Sequence, residues 1–218
     1  MIGLGLGSRG EPTRIMFIGA HSDDIEIGCG GTILKLLSER PEIEITWVVL
    51  SSNKRRRLEA EKSASRFLSA ASSKAVRFGS FTDGFFPSEK AAIKGFFESE
   101  LKGLNPDIIF THTRGDLHQD HQVVNQLTWN TFRNQLIFEY EIPKYDGDMG
   151  NPNVFVSLTE SQLDDKLETL LDVFSSQGNR HWFRDSLFRG IAAIRGMQCA
   201  APSGYAEAFY SRKIVLEL

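Results

Sequence analysis

Two short segments hold most of the chain's reactive side chains. One reads Ala20-His21-Ser22-Asp23-Asp24 and leads into Gly28-Cys29-Gly30-Gly31; the other reads Asp116-Leu117-His118-Gln119-Asp120-His121. Three of the five histidines (His21, His118, His121) lie in them, and scattered structural histidines would not concentrate this way. Neutral imidazole beside a hard carboxylate suits a borderline divalent ion such as zinc. His21, Asp24 and His121 can supply two nitrogens and one oxygen. That matches a catalytic zinc with three protein ligands and a position left for water. Zinc is therefore the expected cofactor, and the same donors admit another divalent ion such as Fe2+.

Residues three apart in a turn can face one point, so His21 and Asp24 can chelate together. Asp23 then points elsewhere, within reach of the bound water, as the candidate general base. His118 sits one turn before His121 and could stay off the metal. As imidazolium it could stabilise an oxyanion or protonate a leaving amine. Asp120 could orient an imidazole through its second nitrogen, or cap the helix that follows. His112 reads as a strand-end residue near the site and His181 as surface or packing. These roles describe hydrolysis of an unactivated amide or ester.

Both segments must stand at the ends of strands. Short apolar runs at 14–20, 44–50, 75–78, 107–111, 136–139, 153–156 and 211–216 predict strands. Helical periods predict helices over 30–40, 56–70, 88–103, 120–132, 159–174 and 181–195. Such alternation predicts an α/β fold, a Rossmann-like, mostly parallel sheet with helices on both faces. Ligands in such sheets bind beyond the carboxyl ends of the strands, where both segments would lie. The Gly-, Asp-, Asn- and Pro-containing stretch 145–152 predicts a long loop. Gly5 to Gly10 matches a dinucleotide fingerprint letter by letter, but no strand precedes it. It reads as part of a flexible tail over 1–12.

Composition narrows the classes. The 218 residues suit a single domain, 41% hydrophobic and 24% charged, as globular chains are. A net charge of -3 gives no electrostatic case for nucleic acid. No apolar run is long enough to span a bilayer. Two cysteines make neither a disulfide framework nor a Cys-based zinc site, and a cytoplasmic setting is expected.

The same residues resemble a known family. Ala20-His21-Ser22-Asp23-Asp24 with Gly30-Gly31 is similar to the Ala-His-Pro-Asp-Asp…Gly-Gly motif of the PIG-L (LmbE-like) deacetylases, and His118-Gln119-Asp120-His121 to their His-x-Asp-His motif. Arg56 and Glu59, Asp83-Gly84, Ser176-Gln177 and Ala206-Glu207-Ala208-Phe209 are lesser matches. The resemblance implies zinc held by His21, Asp24 and His121, Asp23 as general base and His118 as the oxyanion-stabilising or acid group. It implies removal of acetyl from an N-acetylglucosamine-type conjugate, a small-molecule partner. Arg56, Asp83 and Arg114 are candidate substrate contacts. Ser22 replaces the usual Pro. Ile25 stands where many members have Glu, which makes Glu26 the candidate to take over that supporting duty.

The same residues admit two other readings. A metallo-β-lactamase-like hydrolase shares most of the Asp116–His121 pattern but needs further His and Asp ligands downstream. A non-catalytic sugar-binding protein could retain the metal loop as structure. Trp182, Phe183 and Tyr205 could stack on a sugar or belong to the core.

Overall fold

The computed structural model describes residues 13–215. Its strands are β1 (Arg14–Gly19), β2 (Glu44–Val49), β3 (Ser73–Phe78), β4 (Ile108–His112), β5 (Leu136–Tyr140), β6 (Val154–Leu158) and β7 (Tyr205–Tyr210). Its helices are α1 (Asp24–Glu39), α2 (Lys54–Phe67), α3 (Phe86–Phe96), α4 (Gln119–Thr131), α5 (Glu160–Val173) and α6 (Asp185–Cys199). The strands form one sheet in the order β3-β2-β1-β4-β5-β7-β6. Only β7 runs against its neighbours.

After the exposed Arg14, strand β1 reads as an apolar run because both of its faces are covered. Ile15 and Phe17 enter a core with Ile25, Phe67, Leu167 and Phe188, from α1, α2, α5 and α6. Met16 and Ile18 enter a second core with Phe86, Ile93, Val124 and Leu127, from α3 and α4. From β1 the chain builds outward on one side through β2 and β3, then returns to place β4 on the other. The β1–β4 boundary is thus the topological switch point, where such sheets open a crevice.

Four elements differ from their expected places; helix α3, expected over 88–103, ends at Phe96, and Phe97–Leu101 continue it as a π-helix. Helix α1 starts at Asp24, not Gly30, because Asp24 to Gly28 already follow helical geometry before a break at Cys29 (φ -148°, ψ 17°). Helix α6 spans Asp185–Cys199 in place of 181–195, since His181 to Arg184 form turns. The last strand is Tyr205–Tyr210, not 211–216. Its Ala-Glu-Ala centre is poor in β-formers, and pairing with β5 and β6 overrides that preference. Ser211 to Val215 form no strand, and residues 216–218, like the expected 1–12 tail, lie outside the described residues. Phe183 is in the first core, and Trp182 and Tyr205, both partly buried, pack against it, so all three belong with the core.

The break in α1 rests directly on Tyr140. A Cβ at Gly28 would lie 2.3 Å from the Tyr140 ring. That ring is fully buried and pinned by its hydroxyl, which donates to the Ile18 carbonyl at 2.6 Å. Gly28→Ala should therefore destabilise the fold by about 1–3 kcal/mol, the range for overpacking, read as a lower urea midpoint; a wild-type midpoint would mean that this contact is not close.

Candidate functional site

Four segments meet over the switch point. The turn after β1 brings His21, Ser22 and Asp23, and α1 begins at once with Asp24. The loop after β4 brings Asp116 and His118, and α4 carries Asp120 and His121 in its first turn. The loop after β3 adds Asp83, and the long segment after β5 adds Lys144 and Asp148. Two helix N-termini thus point inward, and their partial positive ends favour the carboxylates of Asp24 and Asp120.

Three donor atoms face one point. His21 Nδ1 lies 3.2 Å from His121 Nε2 and 3.4 Å from Asp24 Oδ2. His121 Nε2 lies 3.6 Å from the same Asp24 oxygen. A tetrahedral ion with bonds of about 2.0–2.1 Å keeps its ligand atoms roughly 3.3–3.4 Å apart, so the triangle has the size such an ion needs. The second nitrogens are engaged elsewhere. His121 Nδ1 lies 2.8 Å from Asp116 Oδ2, and His21 Nε2 lies 3.0 Å from Asp120 Oδ2 and 3.2 Å from Asp83 Oδ1. With a proton on each of those nitrogens, the lone pairs of the other two face the triangle.

Further groups lie close by. His118, His21 and His121 each present a ring nitrogen within 4.8 Å of the others. His112 Nε2 stands 3.1 Å from Asp24 Oδ2, and its ring stacks on His121 with centroids 3.8 Å apart. It is a strand-end residue beside the site, as expected, and is closer to the donors than its place in the sequence suggested.

The electrostatics follow from burial and crowding. Burial opposes a charge on His21, but Asp24 and hydrogen bonds to Asp120, Asp24 and Asp83 outweigh it and hold this imidazole well above its ordinary value. Burial and the neighbouring His112 push His121 down to about 3. Burial also lowers His118, and His21 adds to the effect. Asp24 is held well below the usual range because His121, His112 and His21 together outweigh its burial. Asp23 is raised by burial, against the pull of Arg56. Its Oδ1 accepts from Arg56 Nη2 at 2.5 Å, and Arg56 Nη1 reaches Asp83 Oδ2 at 3.5 Å. Arg56, a candidate substrate contact, thus also holds Asp23.

Asp120 does not cap α4. The His118 side chain takes that place, accepting from Asp120 N–H at 3.2 Å. The Asp120 carboxylate instead accepts from Gly84 N–H at 2.6 Å and Phe86 N–H at 3.1 Å, which ties the loop after β3 to the site. Arg114 stands apart. Its side chain is exposed on an open cleft lined also by Thr113, Tyr210 and Arg212, and among the described residues it makes no ion pair with the groups above.

Two supporting groups escaped the sequence reading. Lys144 donates to Asp116 Oδ2 at 2.8 Å and to Asp148 Oδ2 at 2.7 Å, and Asp148 accepts Leu117 N–H at 2.7 Å. Lys144 lies one residue before the expected loop, and only the crowding of Asp near it hinted at a partner. Asp116 stands in the second of the two reactive segments, where the sequence assigned it no role of its own.

Residues 16–132 match the family described as PIG-L, GlcNAc-PI de-N-acetylase. The chain belongs to the PIG-L family. Its fold is shared by N,N'-diacetylchitobiose deacetylase from Pyrococcus horikoshii (20% identity, TM-score 0.73, over 93% of this chain and 84% of that one). It is shared too by the conserved protein TT1542 from Thermus thermophilus (18%, TM-score 0.72, 94% and 96%). The 4-carboxy-2-hydroxymuconate hydratase GalB from Pseudomonas putida has it as well (17%, TM-score 0.70, 94% and 99%). The lactamase-like reading finds no support: after His121 only His181 remains, and it is exposed and pairs with the Tyr145 hydroxyl at 3.2 Å.

Glu26 is fully buried on α1; neither carboxyl oxygen has a well-formed hydrogen bond, and the Ser63 hydroxyl is a polar group beside it. Burial raises it well above its ordinary 4.5. A folded state that holds this proton loses stability as pH rises above the unfolded value of 4.5. Glu26→Gln is neutral at every pH and escapes that loss. Its melting temperature should gain on the wild type as pH rises above 4.5; parallel profiles would mean that Glu26 is ionised in the folded chain.

Proposed function

We propose that this chain is a divalent-metal-dependent amide hydrolase, with zinc as the metal, that removes acetyl from an N-acetylated amino sugar. The observation that carries this reading is the triangle of His21 Nδ1, Asp24 Oδ2 and His121 Nε2, with each imidazole's other nitrogen on a carboxylate. Family membership supports the reaction class. Those three residues would hold the ion. When bound, zinc supplies a Lewis acid and lowers the pKa of its water toward neutrality.

Asp23 accepts the proton of the attacking water. Its burial strengthens it as a base, and the Arg56 ion pair keeps the carboxylate aimed. The oxygen–carbon bond forms, the carbon–nitrogen bond breaks, and the proton passes to the departing amine, leaving acetate. His118 donates to the developing oxyanion. With Nδ1 accepting from Asp120 N–H, its proton sits on Nε2, so the neutral ring serves as donor without becoming imidazolium. Arg56 and Asp83 would meet sugar hydroxyls beside Asp23 and His21, and Arg114 would meet a more distant part of the conjugate. The substrate is a small N-acetylated sugar conjugate. Among the described residues no helix is long and apolar enough to cross a membrane, and we infer a cytoplasmic setting from the sparse cysteines.

Zinc-loaded protein should release free amine from a panel of N-acetylglucosamine conjugates, while Asp23→Asn keeps its zinc and loses most turnover. Silence of the wild type across the panel, with zinc bound, would overturn the amino-sugar reading. His121→Ala should lower bound zinc; full zinc content would remove it from the ligand set. His118→Ala should cut kcat by roughly a hundredfold or more, the scale of one oxyanion donor; undiminished kcat would take His118 out of the mechanism.

A further inference from the structure

We infer that Lys166 and Glu207 are positioning residues that set the direction of the first segment of α1, and with it the place of the Asp24 carboxylate. The inference rests on the metal-site reading above. The break at Cys29 divides α1 into a short first segment, which opens with Asp24, and a longer second one. A break of this kind frees backbone groups that a continuous helix would pair. Glu207 on β7 accepts from Gly31 N–H at 2.8 Å and Thr32 N–H at 2.6 Å, at the start of the second segment. Lys166 on α5 donates to the Ile27 carbonyl at 2.8 Å, at the end of the first, and to Glu207 at 2.6 Å. One ion pair therefore caps both sides of the break.

Stability alone does not account for this pair. Both side chains are buried, and a buried ion pair is often no better than apolar residues of the same volume. An apolar pair here would take a carboxylate away from two backbone N–H groups and an ammonium away from a carbonyl, all at the break. The pair is what lets the break exist, and the break aims the first segment. Glycine completes the arrangement: a Cβ at Gly31 would lie 2.4 Å from Leu158.

The direction of that segment reaches the site by contact. Gly28 packs on the Tyr140 ring. The Tyr140 hydroxyl lies 3.3 Å from His112 Nε2, and that nitrogen lies 3.1 Å from Asp24 Oδ2. A segment that swings away from Tyr140 carries Asp24 away from His21 and His121. Neither Lys166 nor Glu207 touches those donors, so both act through the helix.

The test compares Lys166→Met, Glu207→Gln and a control, Leu101→Ala, which opens the other core, to which α1 contributes no buried residue. Zinc affinity is read by competition with a chromophoric chelator, ligand geometry by the visible spectrum of the cobalt-substituted protein, and stability by melting temperature. Both pair variants should bind zinc roughly 10–100-fold more weakly, the range for residues that orient ligands from behind, with shifted cobalt bands. The control should lose melting temperature alone. Pair variants that melt earlier but keep wild-type zinc affinity and cobalt bands would overturn the inference and leave the metal reading standing. If the wild type binds no zinc, the metal reading falls and takes the inference with it. Should Lys166→Met fail to fold, Glu207→Gln, which keeps the side-chain volume, decides by the same readouts.

Discussion

Everything at the site depends on what the second nitrogen of each imidazole does. A histidine can offer a lone pair in a fixed direction only if its other nitrogen is held as a donor. Here Asp116 holds His121, and Asp120 and Asp83 hold His21. These carboxylates must then be sheltered to stay aimed, and the rest of the architecture follows from that demand. Lys144 reaches down from the loop after β5 to Asp116, backbone N–H groups of Gly84 and Phe86 close on Asp120, and α4 starts where its first turn can carry both Asp120 and His121.

Crowding acids in the interior is expensive unless cations or N–H groups answer them. Each buried acid of the site except one has such an answer. Asp23 has Arg56, Asp116 has Lys144, Asp120 has two backbone N–H groups, and Asp24 takes the His21 N–H at 2.7 Å. Glu26 has none, and burial favours its neutral form instead. Asp24 shares its Oδ2 between three imidazoles, a crowded arrangement that a divalent cation at the triangle would relieve.

Much of this could be read from the sequence. The parallel core was legible because buried strand residues such as 15–19 are written as an apolar run, and the crowding of His21, Asp24 and His121 because both reactive segments follow strands of that sheet. Strand β7 was not, since Ala and Glu conceal a strand that only its neighbours stabilise. The early start of α1 was hidden by glycines that act as room for Tyr140 and Leu158 and not as a loop. Lys144, Lys166 and Glu207 work through partners up to 176 positions away, along contacts that no local pattern encodes. The resemblance marked Glu207 as a match without saying what it does.

The most direct test of the account is zinc K-edge X-ray absorption of the loaded wild-type protein. A centre built on His21, Asp24 and His121 gives a four-coordinate shell at about 2.0–2.1 Å with outer scattering from two imidazoles and no sulfur. A sulfur shell near about 2.3 Å, or light-atom ligands without imidazole scattering, would contradict a centre built on His21, Asp24 and His121.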